Sequence, residues 1–64
     1  MISRKKLRIG NVVSLQIDET DVTGMITDVC LIREVFTIIG SLGLKDYCTE
    51  TLLDKDLHVI SSLG

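Results

Sequence analysis

The segment 11–18 alternates apolar and polar side chains with a period of two. Val13, Leu15 and Ile17 alternate with the polar residues Ser14, Gln16 and Asp18. Because successive side chains of a strand point to opposite faces, this pattern predicts a β-strand with one face buried. We expect the three apolar side chains to point into a core and Gly10 to form the turn that enters the strand.

Further short runs, rich in β-branched residues, follow this strand. They predict strands at 22–32, 35–39, 45–51 and 57–60. The connections are a polar loop at 18–21, a turn at 33–34 and a glycine-containing hairpin at 40–43. Within the second run the apolar residues change phase beside Asp28, and Gly24 precedes that change. The phase change predicts a β-bulge or a sharp bend, and the glycine permits close backbone approach.

The segment 53–56 interrupts the alternation with two carboxylates around a lysine. It predicts one tight helical turn before the last strand, with Asp54 and Asp56 as solvated or capping groups rather than a catalytic pair. The predicted order of elements is that of a small SH3-like barrel, an all-β fold. It consists of about five short strands, of which the second is bent, with this turn before the last. With 64 residues the chain makes one domain. We expect a basic N-terminal lead at 1–8 and a single barrel domain at 9–64.

Two segments carry a resemblance to a known group of proteins. LRIGNVV at 7–13 and LLDKDLHVI at 52–60 resemble small SH3-like proteins of bacterial prophages and mobile elements. The chains of that group open with Leu-Arg-Ile-Gly-Asn, and a turn of the Asp-Leu-x-x-Ile type leads into their final strand. The layout covers most of 7–60. Many members continue into a helix-forming tail, where this sequence has only 61–64. The resemblance implies the fold and little function, because the group is mostly uncharacterised.

Charge is distributed unevenly along the chain. Residues 1–8 hold four of the seven basic side chains and no acid, so they carry +4, whereas the other residues carry −6. The four basic residues are Arg4, Lys5, Lys6 and Arg8. Lysine and arginine bind phosphates by releasing condensed counterions, so these residues are candidate nucleic-acid ligands. The alternative is a solvated, frayed terminus.

Two familiar binding modes of such barrels find little support. Grooves that bind proline-rich peptides contain several aromatic side chains, and this chain has only Phe36 and Tyr47. The segments 10–13 and 24–26 are similar to the ribosomal KOW arrangement, in which the loop between them meets RNA. Here the loop 18–21 carries three carboxylates, which repel a phosphate backbone. It also lacks the ligand spacing and the glycine of a calcium-binding EF-hand.

The residues that could carry metal or covalent chemistry are few. Cys30 and Cys48 lie 18 positions apart, which fits no Cys-x-x-Cys pair. We expect two reduced thiols, and we expect neither these cysteines nor His58 to hold zinc, since no local spacing brings four ligands together. The sequence contains no HExxH, GxSxG or phosphate-loop motif. It therefore predicts a protein that is not an enzyme and has no cofactor.

Apolar residues are more numerous than one buried sheet face requires. Hydrophobic residues make up 45% of the chain, and adjacent apolar pairs occupy 12–13, 38–39, 52–53 and 59–60. Such pairs place apolar side chains on both faces of a strand, and covering the second face would contribute about 25 cal/mol for each Å². We expect a partner protein or self-association. The alternative is that a curled barrel buries part of both faces and that the remaining exposed aliphatic residues are ordinary.

Three functional classes remain open on these grounds. The favoured class is a non-catalytic interaction module that meets another protein, or itself, through apolar strand faces. The second is a nucleic-acid-associated module that uses the basic residues of 1–8, and the third, least supported, is an enzyme or metal protein. No run of about 20 apolar residues could span a membrane, and no apolar segment follows the basic residues as in a secretory signal. We therefore expect a cytoplasmic protein with no membrane contact.

Overall fold

The computed structural model describes residues 2–62, in which the chain forms five strands. The strands are β1 (Asn11–Ile17), β2 (Thr20–Cys30), β3 (Val35–Gly40), β4 (Gly43–Cys48) and β5 (Leu57–Ser62). They form one antiparallel sheet with the order β4-β3-β2-β1-β5, and a 3₁₀ turn at Asp54–Asp56 precedes the last strand. The predicted fold class, a small all-β SH3-like barrel with a helical turn before its last strand, is confirmed. Within residues 2–62, no helix is long and apolar enough to cross a membrane.

The core lies on the inner face of the sheet and is aliphatic except for Phe36. On β1, Val13 and Leu15 are fully buried, as predicted, and Ile17 is half-buried against the core. The buried hydrophobic residues are Ile2, Leu7, Val13, Leu15, Ile26, Phe36, Ile38, Leu52 and Leu57. Two of them precede β1, so the core extends beyond the strands.

The connection between β1 and β2 is shorter than the predicted loop at 18–21. Ile17 pairs with Thr20, which leaves only Asp18 and Glu19 in the turn. Both have positive φ, 48° and 66°, which is characteristic of the type I′ hairpin turn. Such a turn matches the twist of the two strands, so pairing continues through Thr20 and Asp21 and the loop prediction was wrong there.

The predicted irregularity in β2 is confirmed. The register between β2 and β3 shifts between Ile26 and Asp28, which makes Thr27 the extra residue of a β-bulge. Close to it, a Cβ atom at Gly24 would overlap the backbone carbonyl of Ile39. Glycine is needed at this position because the two backbones approach too closely for any side chain.

Strand ends differ from the predictions by a few residues. β2 ends at Cys30 instead of at 32, because residues 31–34 form the turn into β3. β4 occupies Gly43–Cys48 rather than 45–51, and Thr49 donates its backbone N–H to the carbonyl of Glu34 at 2.8 Å. β5 runs two residues further than predicted, to Ser62. The helical turn lies within the predicted segment 53–56.

The segment before β1 is packed against the barrel rather than frayed. Ile2 and Leu7 are 5% and 8% exposed. The backbone N–H of Ser3 donates to the Asp54 carboxylate at 2.9 Å, and the side-chain amide of Asn11 donates to the carbonyl of Lys6 at 3.0 Å. Residues 2–8 therefore cover one end of the core and are held there by the 3₁₀ turn.

Candidate functional site

One row of apolar side chains crosses the outer face of the sheet. The strand register pairs Val12 with Met25, Met25 with Ile39, and Ile39 with Leu44. These four residues are called the apolar row. Their chain neighbours Val13, Ile26 and Ile38 are at most 1% exposed on the inner face, and side chains alternate between faces, so the row points outward. Ile39 is 44% and Leu44 67% exposed, whereas Val12 and Met25 are half-buried.

At the fifth strand the apolar row meets the polar residue Ser61. Val12 pairs with Ser61, and Val13 pairs with Val59, so Ile60 is the extra residue of a second β-bulge. Ile60 is 59% exposed. Neighbouring strands lie about 4.8 Å apart, so the four strands of the row extend over about 14 Å.

Polar rows border the apolar row on both sides. On one side the register aligns Asp28, Thr37 and Asp46, and the Thr37 hydroxyl donates to the Asp46 carboxylate at 2.6 Å. On the other side it aligns Thr23, Ser14 and His58. The outer face is thus an apolar row between polar margins.

The adjacent apolar pairs at 12–13 and 38–39 place one side chain on each face of a strand, as predicted, whereas the pair 52–53 lies outside the strands. In three of the four pairs one residue is buried and the other is exposed or half-buried, and in the pair 59–60 both residues are exposed. The exposed or half-buried residues are Val12, Ile39, Leu53, Val59 and Ile60. Pairing across strands then decides which of them meet. Only Val12 and Ile39 belong to the apolar row, and Leu53 lies beside the 3₁₀ turn.

Among the four basic candidates, Lys6 has a structural role. Its ammonium group donates to the carbonyl oxygen of Asp54 at 2.7 Å, to the Asp54 carboxylate at 3.0 Å and to the carbonyl oxygen of Leu57 at 2.8 Å. These three bonds use all its N–H groups. Hydrogen bonds from the Ser3 N–H and from Lys6 lower the pKa of the Asp54 carboxyl. Lys6 therefore holds the N-terminal segment in place.

The other three basic residues are exposed but do not share one site. Lys5 and Arg8, together with Lys6 and Asn11, line an open depression of about 420 Å³. Arg4 lines a separate depression of about 170 Å³ beside Ile2. The structure thus brings Lys5 and Arg8 together and places Arg4 elsewhere.

The cysteines and the histidine lie on different strands. Cys30 pairs with Val35, which in turn pairs with Cys48. The two thiols are free and two strands apart, about 10 Å, which is too far for a disulfide. His58 is exposed on β5, at the other edge of the sheet from β4. Over residues 2–62, no three His, Cys, Asp or Glu side chains are placed to hold a metal ion.

The two aspartates of the 3₁₀ turn accept hydrogen bonds from backbone N–H groups. The Asp56 carboxylate accepts a hydrogen bond from the N–H of Leu53 at 2.9 Å, and the Asp54 carboxylate accepts from Ser3 at 2.9 Å. Of the predicted solvated or capping roles, capping is confirmed for Asp56, which accepts from the backbone N–H at the start of the turn. Asp54 instead binds the segment before β1.

A groove beside β4 was not predicted. Two cavities, of about 360 and 230 Å³, lie side by side between β4 and the β1–β2 turn and share Ile17, Asp18 and Tyr47 in their linings. Together they are called the Tyr47 groove. The Tyr47 ring packs against Phe36 with 5.8 Å between ring centroids. Pairing with the buried Phe36 places Tyr47 on the inner face of β4, and the fold leaves the cleft beside it open.

Comparison with known proteins finds no matching family model, no matching curated protein and no matching solved structure.

Proposed function

We propose that this protein is a non-catalytic interaction module that associates through the apolar row, with a second copy of the chain as its partner. The observation that carries the proposal is the unbroken line of Val12, Met25, Ile39 and Leu44 over four paired strands. Covering exposed apolar side chains contributes about 25 cal/mol for each Å² removed from water. A contiguous row supports a partner surface more strongly than scattered exposed residues do.

A second copy fits the row and its margins. Two copies can stack row on row about a two-fold axis that runs along the row. That arrangement places the margin with Asp28 and Asp46 over the Thr23–Ser14 margin of the second copy. It avoids facing carboxylates, which repel each other when they are desolvated. Closed two-fold pairs are also the commonest oligomers.

The mass in solution, measured by light scattering at low and high salt, tests this proposal. The wild-type chain is expected to be a dimer at both salt concentrations, because apolar burial is not screened by ions. Ile39→Lys places a charge in the centre of the row and should give a monomer. The matched control is Ile32→Lys, at a residue that is 95% exposed on the β2–β3 turn, and it should remain a dimer. A monomeric wild-type chain, or equal dissociation of both variants, would contradict the proposal.

A nucleic-acid-associated module is the second proposal. It is supported by the exposed Lys5 and Arg8, which share one depression. Affinity falls as salt rises, and each phosphate contact makes the slope of log affinity against log salt concentration steeper by about 0.9. Lys5→Ala with Arg8→Ala should make that slope shallower by up to about 2 for DNA or RNA. Lys45→Ala on β4 should leave the slope unchanged. Binding that is absent at low salt, or insensitive to the double substitution, would contradict it.

We also propose that the chain is related to the small SH3-like proteins of bacterial prophages and mobile elements and acts in the cytoplasm. The strand order and the turn before β5 support the relationship. The separated thiols Cys30 and Cys48 support a reducing compartment. Sequences that share the segment 7–13 and are encoded among phage genes would test the relationship, and cell fractionation would test the location.

A further inference from the structure

The free edge of β4 lies next to the Tyr47 groove. β4 is an outermost strand and pairs only with β3 among the described strands. In an antiparallel ladder, alternate residues direct their N–H and C=O groups away from the partner strand. The far side of β4 therefore presents hydrogen-bonding groups to which another strand can add. β4 is exposed over Gly43–Asp46.

The groove lies on the inward-facing side of β4, opposite the apolar row. Lys45 and Tyr47 are two positions apart and both line it, whereas Leu44 and Asp46 alternate with them on the outer side. A strand added at the edge would place every second side chain in the groove beside Tyr47. Main-chain pairing would supply affinity, and the groove would select those alternate side chains.

The charge beside β4 is mainly negative. Asp18 lines the groove, Asp21 lines a small pocket next to it that shares Lys45 and Tyr47, and Asp46 is exposed on β4 itself. Lys45 is the single basic residue lining these cavities. Within residues 2–62 the one ion pair is that of Lys6 with Asp54, so these three carboxylates have no cationic partner there. A segment that carries positive charge complements them.

We infer that the Tyr47 groove and the edge of β4 bind an extended polypeptide segment of another protein, in which lysine or arginine alternates with aliphatic residues. The segment adds to the sheet as a sixth strand. This site is separate from the apolar row and goes beyond the proposed self-association. The basic side chains enter the groove, where their aliphatic stems pack against Tyr47 and Ile17 and their charged ends lie near Asp18 and Asp21. The aliphatic side chains alternate with them and point to the outer side of the sheet.

A short labelled peptide tests the inference by fluorescence anisotropy. The probe is the acetylated hexapeptide Lys-Val-Lys-Val-Lys-Val, which matches the six residues of β4. It should bind saturably. The same peptide with glutamate in place of lysine should not bind, because it repels the rim. A version methylated on alternate backbone nitrogens should also not bind, because it cannot donate to the strand edge. Amide NMR signals should shift in β4 and not in β5, the other edge strand.

Substitutions locate the site on the protein. Asp18→Asn with Asp21→Asn should lower the affinity for the lysine peptide by about three- to tenfold at low salt, the range expected for two exposed charge pairs. Asp28→Asn removes a charge from the outer face as a control and should leave the affinity unchanged. Absence of saturable binding, equal binding of the methylated peptide, or equal weakening by Asp28→Asn would overturn the inference.

Discussion

The ammonium nitrogen of Lys6 lies 3.0 Å from the carboxylate of Asp54, although 48 positions separate the two residues. The lysine side chain is 25% exposed, and its other hydrogen bonds go to the carbonyl oxygens of Asp54 and Leu57. This contact joins the segment before β1 to the turn before β5. Of the four basic residues at 1–8, Lys6 therefore stabilises the fold and does not serve as a free ligand for phosphate.

Lys6→Met should lower the free energy of unfolding by about 0.5–1.5 kcal/mol, because it removes three hydrogen bonds, of which only the one to the Leu57 carbonyl is partly buried. Methionine retains most of the apolar stem, so the loss comes from the charged group. Urea unfolding measures the change. Lys5→Met at the exposed neighbouring residue is the control and should change the free energy by no more than about 0.5 kcal/mol. Equal effects of the two substitutions would mean that the contact does not stabilise the segment.

Asp54 should make the stability depend on pH in the acidic range. Its pKa in the folded state is lowered by the Ser3 N–H and by Lys6. A lowered pKa contributes stability above the unfolded value, near 4, and this contribution is lost as the pH falls through the folded value. The difference in unfolding free energy between the wild-type chain and Asp54→Asn should therefore shrink as the pH falls below about 4. A difference that stays constant from neutral to acidic pH would refute this assignment.

Glu34 should have the opposite pH dependence. A hydrogen bond with Glu50 and the charge of that residue raise the pKa of Glu34. A raised carboxyl pKa contributes stability below the unfolded value, and this contribution is lost as the pH rises through the folded value. Glu50→Gln should consequently raise the thermal midpoint at neutral pH, where the two carboxylates repel each other, and should give no gain in acid. A lower midpoint at neutral pH would show that the pair does not act by repulsion.

Glu19→Gly should stabilise the β1–β2 turn. Glu19 has a φ of 66°, a conformation that glycine adopts without the cost, about 1–2 kcal/mol, paid by other residues. Part of this gain is offset by the greater freedom of glycine in the unfolded chain. We therefore expect the free energy of unfolding, measured by heat or urea, to increase by about 0.5–1 kcal/mol. Ser41→Gly at the β3–β4 turn is the control, since Ser41 does not have a positive φ. A gain at Ser41 as large as that at Glu19 would contradict the explanation.

Local patterns were sufficient to predict much of the fold. The alternation around Leu15, the phase change beside Asp28 and the carboxylates at Asp54 and Asp56 each report on a few consecutive residues. β1, the bulge and the 3₁₀ turn were accordingly predicted close to their observed positions. Strand ends and the β1–β2 turn were less accurate, because pairing with a neighbour extends a strand through residues whose own preferences are weak.

The candidate sites depend on contacts between distant residues. Exposed apolar side chains were expected from the adjacent pairs, but the alignment of Met25 with Ile39 and Leu44 follows from the strand register. The role of Lys6 depends on Asp54, and the open groove beside Tyr47 depends on where the β1–β2 turn lies. No local pattern encodes such distances, so these features required the structure.

The bond between Ser3 and Asp54 spans 51 positions, and this separation has a consequence for biosynthesis. Ser3 and Lys6 leave the ribosome well before their shared partner, so in the growing chain Lys6 is a mobile cation and Ile2 an uncovered apolar residue. Contacts between such distant positions form only after the intervening loop closes. The segment before β1 is synthesised earlier than Asp54 and is thus among the last to reach its native position, and a nascent chain that ends before Asp54 leaves one end of the core uncovered.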